Sequence, residues 1–181
     1  MTLSIVIPTL NESAELPETV RRARRVAEAR EIIVVDGGSA DATLRIAEQL
    51  GCTALSGPRS RGGQMRLGAS LATGDVIVLL HADTWLPPDA GQAIADCLRQ
   101  QTIVGGGFWK RFRERRLLML GSRLRCALHL YAAGLILGDQ ALFVRRDLLE
   151  RIGGVPDMPL MEEFELCRRL RDVGRLALAK A

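Results

Sequence analysis

Residues 33–43 read IVVDGGSADAT, and this stretch contains the pattern that determines the fold class. A short apolar run at residues 32–35, rich in β-branched side chains, ends at Asp36 and is followed by a glycine pair. Such runs are typical of parallel strands that are buried on both faces. Asp41 then precedes a helical pattern at residues 44–50. The stretch therefore predicts a buried strand, a polar turn and a capped helix.

Similar units lie on both sides of this stretch. Apolar runs at residues 3–7 and 76–80 predict two more buried strands. Helical spacing of apolar side chains predicts helices near residues 16–27, 64–71 and 89–98. The alternation of strand and helix implies right-handed crossovers, and therefore an α/β fold with an open, mainly parallel sheet flanked by helices. Ligands of such sheets bind at the carboxyl ends of the strands.

The second half of the chain has a different sequence pattern. Residues 105–108 lead into an Arg-rich helix at roughly residues 113–137, and a strand pattern follows at residues 140–144. A helix is predicted at residues 148–152, and an acidic helix begins at Glu162. Because no repeat, low-complexity tract or linker separates the two halves, we expect a single domain.

Composition limits the class of partner. The chain has 181 residues and is 48% hydrophobic, which is enough for one buried core. Its formal net charge is +4, and basic residues concentrate at residues 21–30 and 110–125, which suits an anionic small molecule or lipid headgroup. Only 4% of the residues are aromatic, which argues against a stacking surface for single-stranded nucleic acid. We therefore expect no nucleic-acid partner.

Cysteine usage and hydropathy indicate a cytoplasmic location. The four cysteines are far apart and form no CxxC pair, so neither a zinc site nor a disulfide framework is expected. The N-terminus lacks the features of a signal peptide. The apolar stretch at residues 117–137 is interrupted by Arg123, Arg125 and His129, which disfavours a bilayer span. Peripheral contact with an anionic membrane through its arginines is compatible with this pattern.

Polar residues follow each of the three apolar runs, at residues 8–12, 36–39 and 81–84. In one parallel sheet, three such strand ends converge on one crevice. Helix capping is the alternative explanation for Asn11, Ser39 and Asp41. It explains Asp36 and Asp83 less well, because an unpaired carboxylate at the end of a buried strand is costly.

His81 and Asp83 are separated by one residue, so on an extended backbone both side chains point to the same side. A carboxylate here suits Mg²⁺ or Mn²⁺, and an imidazole ligand would favour Mn²⁺. The alternative is that His81 is a packed or hydrogen-bonded histidine at a strand end.

Two further segments carry charge at predicted helix starts. Residues 59–64 contain two arginines and a glycine pair before a helix, an arrangement that can hold a phosphate or a base edge, although a surface loop is the alternative. Residues 161–166 contain three acids, and Glu163 projects about 100° away from its neighbour Glu162. Either one carboxylate faces a substrate, or all three only stabilise the helix through their interaction with its dipole.

Four motifs in this order resemble those of the family 2 glycosyltransferases with the Rossmann-like GT-A fold. Residues 5–12 resemble the opening strand and loop of the family, and residues 33–43 resemble its DDGSxDxT signature. Residues 74–83 resemble the strand that leads into the DxD metal motif, and residues 162–166 resemble the later ED motif.

The resemblance implies a single GT-A domain over residues 1–181. Residues 1–104 would form the nucleotide-sugar-binding half and residues 105–181 the acceptor and catalytic half. The implied reaction is a metal-dependent, inverting transfer from a nucleotide-sugar donor, with a UDP-sugar favoured, to a hydroxyl acceptor. A lipid-linked acceptor is compatible with the basic segment.

The resemblance also implies roles for individual residues. Glu163 would be the general base, and Asp83, with His81, would bind Mn²⁺ or Mg²⁺. Thr9, Glu12 and Asp36 would line the nucleoside pocket, and Arg61 would hold the base or phosphate. The full set of implied substrate-binding residues is Pro8, Thr9, Glu12, Asp36, Arg61, Gln64, Asp139 and Gln140.

The chain departs from the family pattern at three positions. Gly37 replaces the second Asp of DDGS, His81 replaces the first Asp of DxD, and Glu163 replaces the Asp of the ED pair. With residues 138–144, this combination most resembles a small bacterial subgroup. Because relatives usually continue beyond the equivalent of Ala181, we expect either C-terminal truncation or an unusually open acceptor side.

Two other functions fit parts of the pattern. A sugar-phosphate nucleotidylyltransferase would also use an α/β sheet and a carboxylate-bound metal, but residues 8–12 lack the Gly-rich phosphate loop expected after the first strand. A noncatalytic nucleotide-sugar-binding module would account for the altered motifs and the short C-terminus.

Overall fold

The computed structural model describes residues 1–109, 128–158 and 161–180. Its strands are β1 (Leu3–Thr9), β2 (Ala29–Asp36), β3 (Thr53–Ser56), β4 (Val76–Leu79), β5 (Ile103–Phe108), β6 (Leu142–Arg145) and β7 (Arg175–Ala179). Its α-helices are α1 (Leu16–Ala23), α2 (Thr43–Gln49), α3 (Arg61–Leu71), α4 (Ala90–Leu98), α5 (Arg146–Arg151) and α6 (Glu162–Arg171). A π-helical turn at His129–Ala133 and a 3-10 turn at Gly138–Gln140 precede β6.

The described strands form one sheet in the order β3-β2-β1-β4-β6-β5-β7. β1 pairs in parallel with β2 and β4, β2 with β3, and β5 with β7. Only β6 is antiparallel to its neighbours, β4 and β5, among these pairings. The mainly parallel α/β sheet predicted from the sequence is therefore confirmed.

The direction of β6 determines what reaches the edge of the sheet. Leu79, at the end of β4, lies opposite Leu142, at the start of β6, so the residues that precede β6 arrive where the parallel strands end. α3 leads into β4 and α6 leads into β7, and each helix therefore begins at this same edge. Three separate segments of the chain thus converge at the carboxyl ends of the strands.

Apolar side chains cover both faces of the sheet. Leu3, Ile5 and Ile7 of β1 pack on one face with residues from α1, α2 and α4. The second face is covered by α3, α5 and α6. Leu166 of α6 lies in the same apolar cluster as Met65 of α3. Because these two helices share one core layer, their first residues can meet above it.

Three strands were not predicted from the sequence. β3 and β7 are short and only partly buried, so they lack a continuous apolar run. β5 contains three consecutive glycines, which are depleted in strands. A Cβ at Gly106 would lie 2.1 Å from the carbonyl oxygen of Ala177, which shows that glycine is needed for the close approach of β7.

The predicted end of the Arg-rich helix was wrong. Most of the predicted span of residues 113–137, namely residues 113–127, lies outside the described residues. The helical turn ends at Ala133, and Gly134 adopts a left-handed conformation with φ +64°, which ends the helix four residues before the predicted boundary. The first helix also ends early, at Ala23 rather than near Ala27.

We expect Phe143→Ala to destabilise both halves of the chain together. Phe143 is fully buried in β6, and its ring contacts that of Phe108 edge to face with centroids 5.9 Å apart. The substitution should cost about 3–5 kcal/mol of unfolding free energy, as measured by urea titration. Leu71→Ala, on an exposed side chain, is the control.

The same titration tests for a single domain. Tryptophan fluorescence, which reports on Trp85 and Trp109, and far-ultraviolet circular dichroism should give coincident transitions. Two separate transitions would show that the halves unfold independently.

Candidate active site

The loops that follow β1 and β2 are joined by hydrogen bonds. The side-chain oxygen of Asn11 accepts from the backbone N–H of Ala40 at 2.8 Å, and Ser39 Oγ accepts from the backbone N–H of Asn11 at 2.8 Å. The backbone N–H of Glu12 donates to Thr43 Oγ1, also at 2.8 Å. Asn11 adopts φ +57°, which asparagine tolerates better than most residues. The two loops therefore form one continuous wall of the crevice.

Asp36 organises this wall from inside. Its Oδ2 accepts from the backbone N–H groups of Gly38 (3.0 Å) and Ser39 (2.8 Å), and its Oδ1 accepts from Thr9 Oγ1 (3.2 Å). The side chain is buried, so these bonds offset the cost of a carboxylate at the end of a strand. Thr9 is also buried, and Pro8 lies within β1 in register with Val35. Direct contact of these three residues with a nucleoside stays a prediction.

Helix capping accounts for part of the second loop. Asp41 Oδ1 accepts from the backbone N–H of Thr43, the first residue of α2, at 2.9 Å. Hydrogen bonds from Thr43 and Ser13 hold the pKa of the Asp41 carboxyl well below its usual range. Asp41 therefore satisfies the first N–H of α2 from the position before the N-cap residue Ala42. The same side chain also ties the first loop to the second.

Gly37 replaces the second acid of the DDGS motif, and the side chain of Gln64 packs against it. A Cβ at Gly37 would lie 2.1 Å from Gln64 Nε2, so the glutamine amide occupies the space beside residue 37. Gln64 is buried, and its Nε2 donates to the carbonyl oxygen of Pro58 at 3.1 Å. A larger residue at position 37 would require Gln64 to move.

The loops after β1 and β4 each carry an acidic side chain, and the two interact electrostatically. Burial raises the pKa of Glu12, and the negative charge of Asp83 raises it further. Asp83 itself is exposed at the end of the β4 loop. The loops after β1 and β4 therefore bring two carboxylates to the same part of the crevice.

Helix α1 holds the β4 loop from behind. Thr19 Oγ1 donates to the carbonyl oxygen of Ala82 at 2.5 Å. The guanidinium of Arg22 lies 4.0 Å from the centroid of the Trp85 ring, which is a cation–π contact. These two contacts flank Asp83 along the chain and fix the position of its backbone. This support could not be predicted from the sequence, because neither Thr19 nor Arg22 belongs to a motif.

His81 and Glu163 meet at Gly138. A Cβ at Gly138 would lie 2.5 Å from His81 Nε2 and 3.7 Å from Glu163 Oε1. The imidazole of His81 therefore packs directly on the backbone before β6, and the Glu163 carboxylate lies beside the same glycine. Asp139 follows it in the 3-10 turn and is half-buried. The segments predicted to hold the metal and the base are thus neighbours.

The three acids of α6 have different surroundings. Glu162 is 2% exposed and forms an ion pair with Arg61, the first residue of α3. Glu163 is 16% exposed, and its Oε2 lies 3.2 Å from Arg61 Nη2. Glu165 accepts hydrogen bonds from Arg168 and Arg169 on its own helix. Only the first two acids therefore face the crevice.

Arg61 and Gln140, which were expected to bind substrate, have partners within the chain. Arg61 was expected to hold a base or phosphate, but its guanidinium contacts two carboxylates located about a hundred positions later in the chain. Gln140 is buried; its amide accepts from the backbone N–H of Leu137 (3.0 Å) and donates to the carbonyl oxygen of Phe108 (3.2 Å). Substrate binding by Gln140 and Asp139 stays a prediction.

The donor set suits a cation that is shared with a substrate. Within the described ranges, no three His, Cys, Asp or Glu side chains are grouped to hold a metal ion by themselves. Mg²⁺ is usually bound through one or two carboxylates, with water and substrate phosphates as the other ligands. The exposed Asp83 beside Glu12 fits this mode of binding.

Comparison with known proteins places the chain in a family. Residues 4–153 match the family described as glycosyl transferase family 2. The chain belongs to glycosyl transferase family 2. This family 2 domain is 32% identical over 155 residues to an undecaprenyl-phosphate 4-deoxy-4-formamido-L-arabinose transferase of Sodalis glossinidius, a match that covers 79% of the chain and 48% of the relative.

A second relative of the same name, from Pseudomonas paraeruginosa, is 32% identical over 133 residues, which cover 62% of the chain and 39% of the relative. The family 2 domain thus spans less than half the length of these two relatives. The predicted membership of family 2 is confirmed.

Solved structures share the fold. A mannosyltransferase from Pyrobaculum calidifontis, in complex with GDP-Man and Mn²⁺, superposes with a TM-score of 0.76 at 23% identity, covering 97% of the chain and 54% of that structure. A glucosyl-3-phosphoglycerate synthase from Mycobacterium tuberculosis, with Mn²⁺ and UDP, gives a TM-score of 0.69 at 20% identity, covering 98% and 70%. The predicted GT-A fold is confirmed.

The predicted membrane contact falls largely outside the described residues. The arginines expected to touch an anionic membrane lie within residues 110–127, so that contact stays a prediction. Among the residues that the structure does describe, no helix is both long enough and apolar enough to cross a bilayer.

We expect Glu165→Gln to reduce stability in a pH-dependent manner without affecting the crevice. Hydrogen bonds from Arg168 and Arg169 lower the pKa of Glu165 from 4.5 to about 2. Because the folded-state pKa is the lower one, the stabilisation is present above pH 4.5 and is lost as the pH falls towards 2. The variant should therefore be less stable than the parent at pH 7, with a difference in unfolding free energy that shrinks below pH 4.5.

Urea titrations between pH 3 and pH 7 measure this difference, and Glu48→Gln on the exposed face of α2 controls for the loss of one charge. A stability difference that is the same at every pH would contradict the assigned ion pairs.

Proposed function

We propose that this domain transfers a sugar from a nucleoside diphosphate sugar to an acceptor hydroxyl bound at the carboxyl edge of the sheet. One observation carries the proposal: Glu163 and His81 meet at Gly138, and His81 lies in the same loop as the exposed Asp83. A candidate base and a candidate cation ligand therefore share one crevice. Family membership supports glycosyl transfer as the reaction.

Glu163 is the proposed general base. It is the more exposed of the two acids that face the crevice, so an acceptor can reach its carboxylate. Glu163 takes the proton of the acceptor hydroxyl while the acceptor oxygen attacks the anomeric carbon. The bond from that carbon to the diphosphate breaks, and the diphosphate leaves with the electron pair from the opposite side. Such a displacement inverts the configuration of the anomeric carbon.

Asp83 is the proposed ligand of Mn²⁺ or Mg²⁺, and its neighbour Glu12 adds negative charge on the same side of the crevice. A bound divalent cation would neutralise the charge that develops on the leaving diphosphate. Both solved structures described above contain Mn²⁺, which supports a divalent cation here. Ligation of the cation by His81 stays a prediction. The Nε2 atom of His81 packs against Gly138.

The donor is proposed to lie along the wall formed by the β1 and β2 loops. Relatives of the fold contain either GDP-Man or UDP, so they support a nucleotide sugar without selecting the base. A UDP-sugar remains the expectation from the sequence. A noncatalytic nucleotide-sugar-binding module is distinguished by its failure to hydrolyse or transfer the sugar of a bound donor.

A phosphate acceptor is the second candidate. The two relatives are each named as an undecaprenyl-phosphate 4-deoxy-4-formamido-L-arabinose transferase. Three exposed apolar side chains flank the acids of α6: Met158, Met161 and Phe164. This apolar rim is suited to a lipid chain. A phosphate monoester has a second pKa near 6, so its oxygen is already ionised at neutral pH and needs no general base.

Glu163→Gln therefore tests the class of acceptor. With a hydroxyl acceptor, transfer should fall by about 10²–10⁴-fold, because the amide cannot accept the proton, while donor affinity should be retained. The measurement is turnover with a panel of hydroxyl and polyprenyl phosphate acceptors. Glu165→Gln is the matched control, since it removes an acid of the same helix that faces away from the crevice. A near-parental rate would contradict the hydroxyl proposal and favour a phosphate acceptor.

Asp83→Ala should abolish the metal-dependent part of donor binding and leave the fold intact, because Asp83 is exposed. A thermal-shift panel of UDP and GDP with and without Mn²⁺ measures this, since a ligand that binds only the folded state raises its stability. Asp89→Ala, an exposed acid before α4, is the control. An unchanged Mn²⁺-dependent shift in folded Asp83→Ala protein would rule out this ligand.

A further inference from the structure

Arg61 lies between the two acids that begin α6. Its Nε donates to Glu162 Oε1, and its Nη2 lies 3.2 Å from Glu163 Oε2 and 3.5 Å from Glu163 Oε1. The second oxygen of Glu162 is buried and has no hydrogen-bond partner among the described residues. Arg61 is therefore the cation that compensates a buried carboxylate and also contacts the proposed base.

The backbone positions of the three side chains are fixed by packing. Met65 of α3 and Leu166 of α6 belong to one apolar cluster. A Cβ at Gly62 would lie 2.6 Å from the carbonyl oxygen of Met158 and 2.7 Å from that of Pro156, so the segment before α6 rests directly on the first turn of α3. Gly62, one of the glycine pair in the arrangement predicted to hold a phosphate or a base edge, is thus needed for close packing at this point.

We propose that Arg61 is a positioning residue that holds the Glu163 carboxylate at the Gly138 edge, and that Glu162 anchors Arg61. This inference rests on the proposed function, because it assigns Arg61 to the base of that reaction. It replaces the expectation that Arg61 binds the donor. The charges support this assignment: one guanidinium and two carboxylates carry a net charge of −1, which repels a diphosphate.

A donor phosphate would also have to compete with Glu162 for the guanidinium. Glu162 is 2% exposed, and a buried carboxylate that loses its cation is strongly destabilised. Arg61 therefore stays with Glu162 when a donor binds. The contact of Arg61 with Glu163 then fixes one oxygen of the Glu163 carboxylate. The other oxygen of that carboxylate remains available to accept a proton.

Measuring turnover and donor affinity separately in Arg61 variants tests this role. Arg61→Gln should lower transfer by about 10²-fold, as expected when a catalytic group is misplaced by about 1 Å, and should change the donor Kd by less than about 2-fold. Arg61→Lys should recover part of the rate, since an ammonium can pair with only one of the acids at a time. Arg99→Gln, an exposed arginine that follows α4, is the control and should leave both quantities unchanged.

Two results would overturn the inference. A donor Kd that rises by 10-fold or more at unchanged kcat would make Arg61 a donor ligand. Parental turnover in Arg61→Gln, when Glu163→Gln has lost activity, would show that the base needs no support from Arg61. Parental turnover in Glu163→Gln would instead contradict the proposed function, so the two failures are distinguishable.

If Arg61→Gln does not fold, a double variant and a stability measurement test the same inference. Arg61→Gln with Glu162→Gln removes the buried unpaired charge, and this protein should fold and bind donor while transfer stays low. A double-mutant cycle of Arg61 and Glu163 in urea requires no turnover. The effects on the unfolding equilibrium constant should deviate from additivity by at least about 2-fold, and additive effects would overturn the contact.

Discussion

The antiparallel pairing of β6 with β4 is the constraint on which the crevice depends. Leu79 lies opposite Leu142, so β6 begins where β4 ends. A parallel strand at this place would carry the 3-10 turn to the opposite edge of the sheet, about 13 Å away for a four-residue strand. The reversed direction instead puts Gly138 against His81, and the second half of the chain thereby completes a site begun by the first.

Carboxylates at the ends of different strands differ in role because their surroundings differ. Asp36 is buried and accepts hydrogen bonds from two backbone N–H groups and from Thr9, so it stabilises the loop that forms the wall. Asp83 is exposed beside Glu12, where it can take part in binding a cation. The acids of α6 divide in the same way, with Glu162 buried and Glu165 paired on the outer side of its helix.

Two departures from the family pattern are accommodated by small residues. Gln64 occupies the space beside Gly37, where the signature has a second acid. The imidazole of His81 packs on Gly138, which has no Cβ to block it. Each change is therefore paired with a partner distant in sequence, and the altered motifs are compatible with a well-packed crevice.

The sequence by itself determined the sheet class, most of the helices of the first half and the motifs of the family, because burial and capping leave local periodic signals. It also identified Glu163 and Asp83 as candidates. Only the tertiary structure decided that Arg61 contacts Glu162 and Glu163, and that the glycines of β5 form a strand. Both depend on contacts between segments far apart in the chain, which are set by helices sharing a core layer and by the direction of β6. Local sequence patterns carry no record of such contacts.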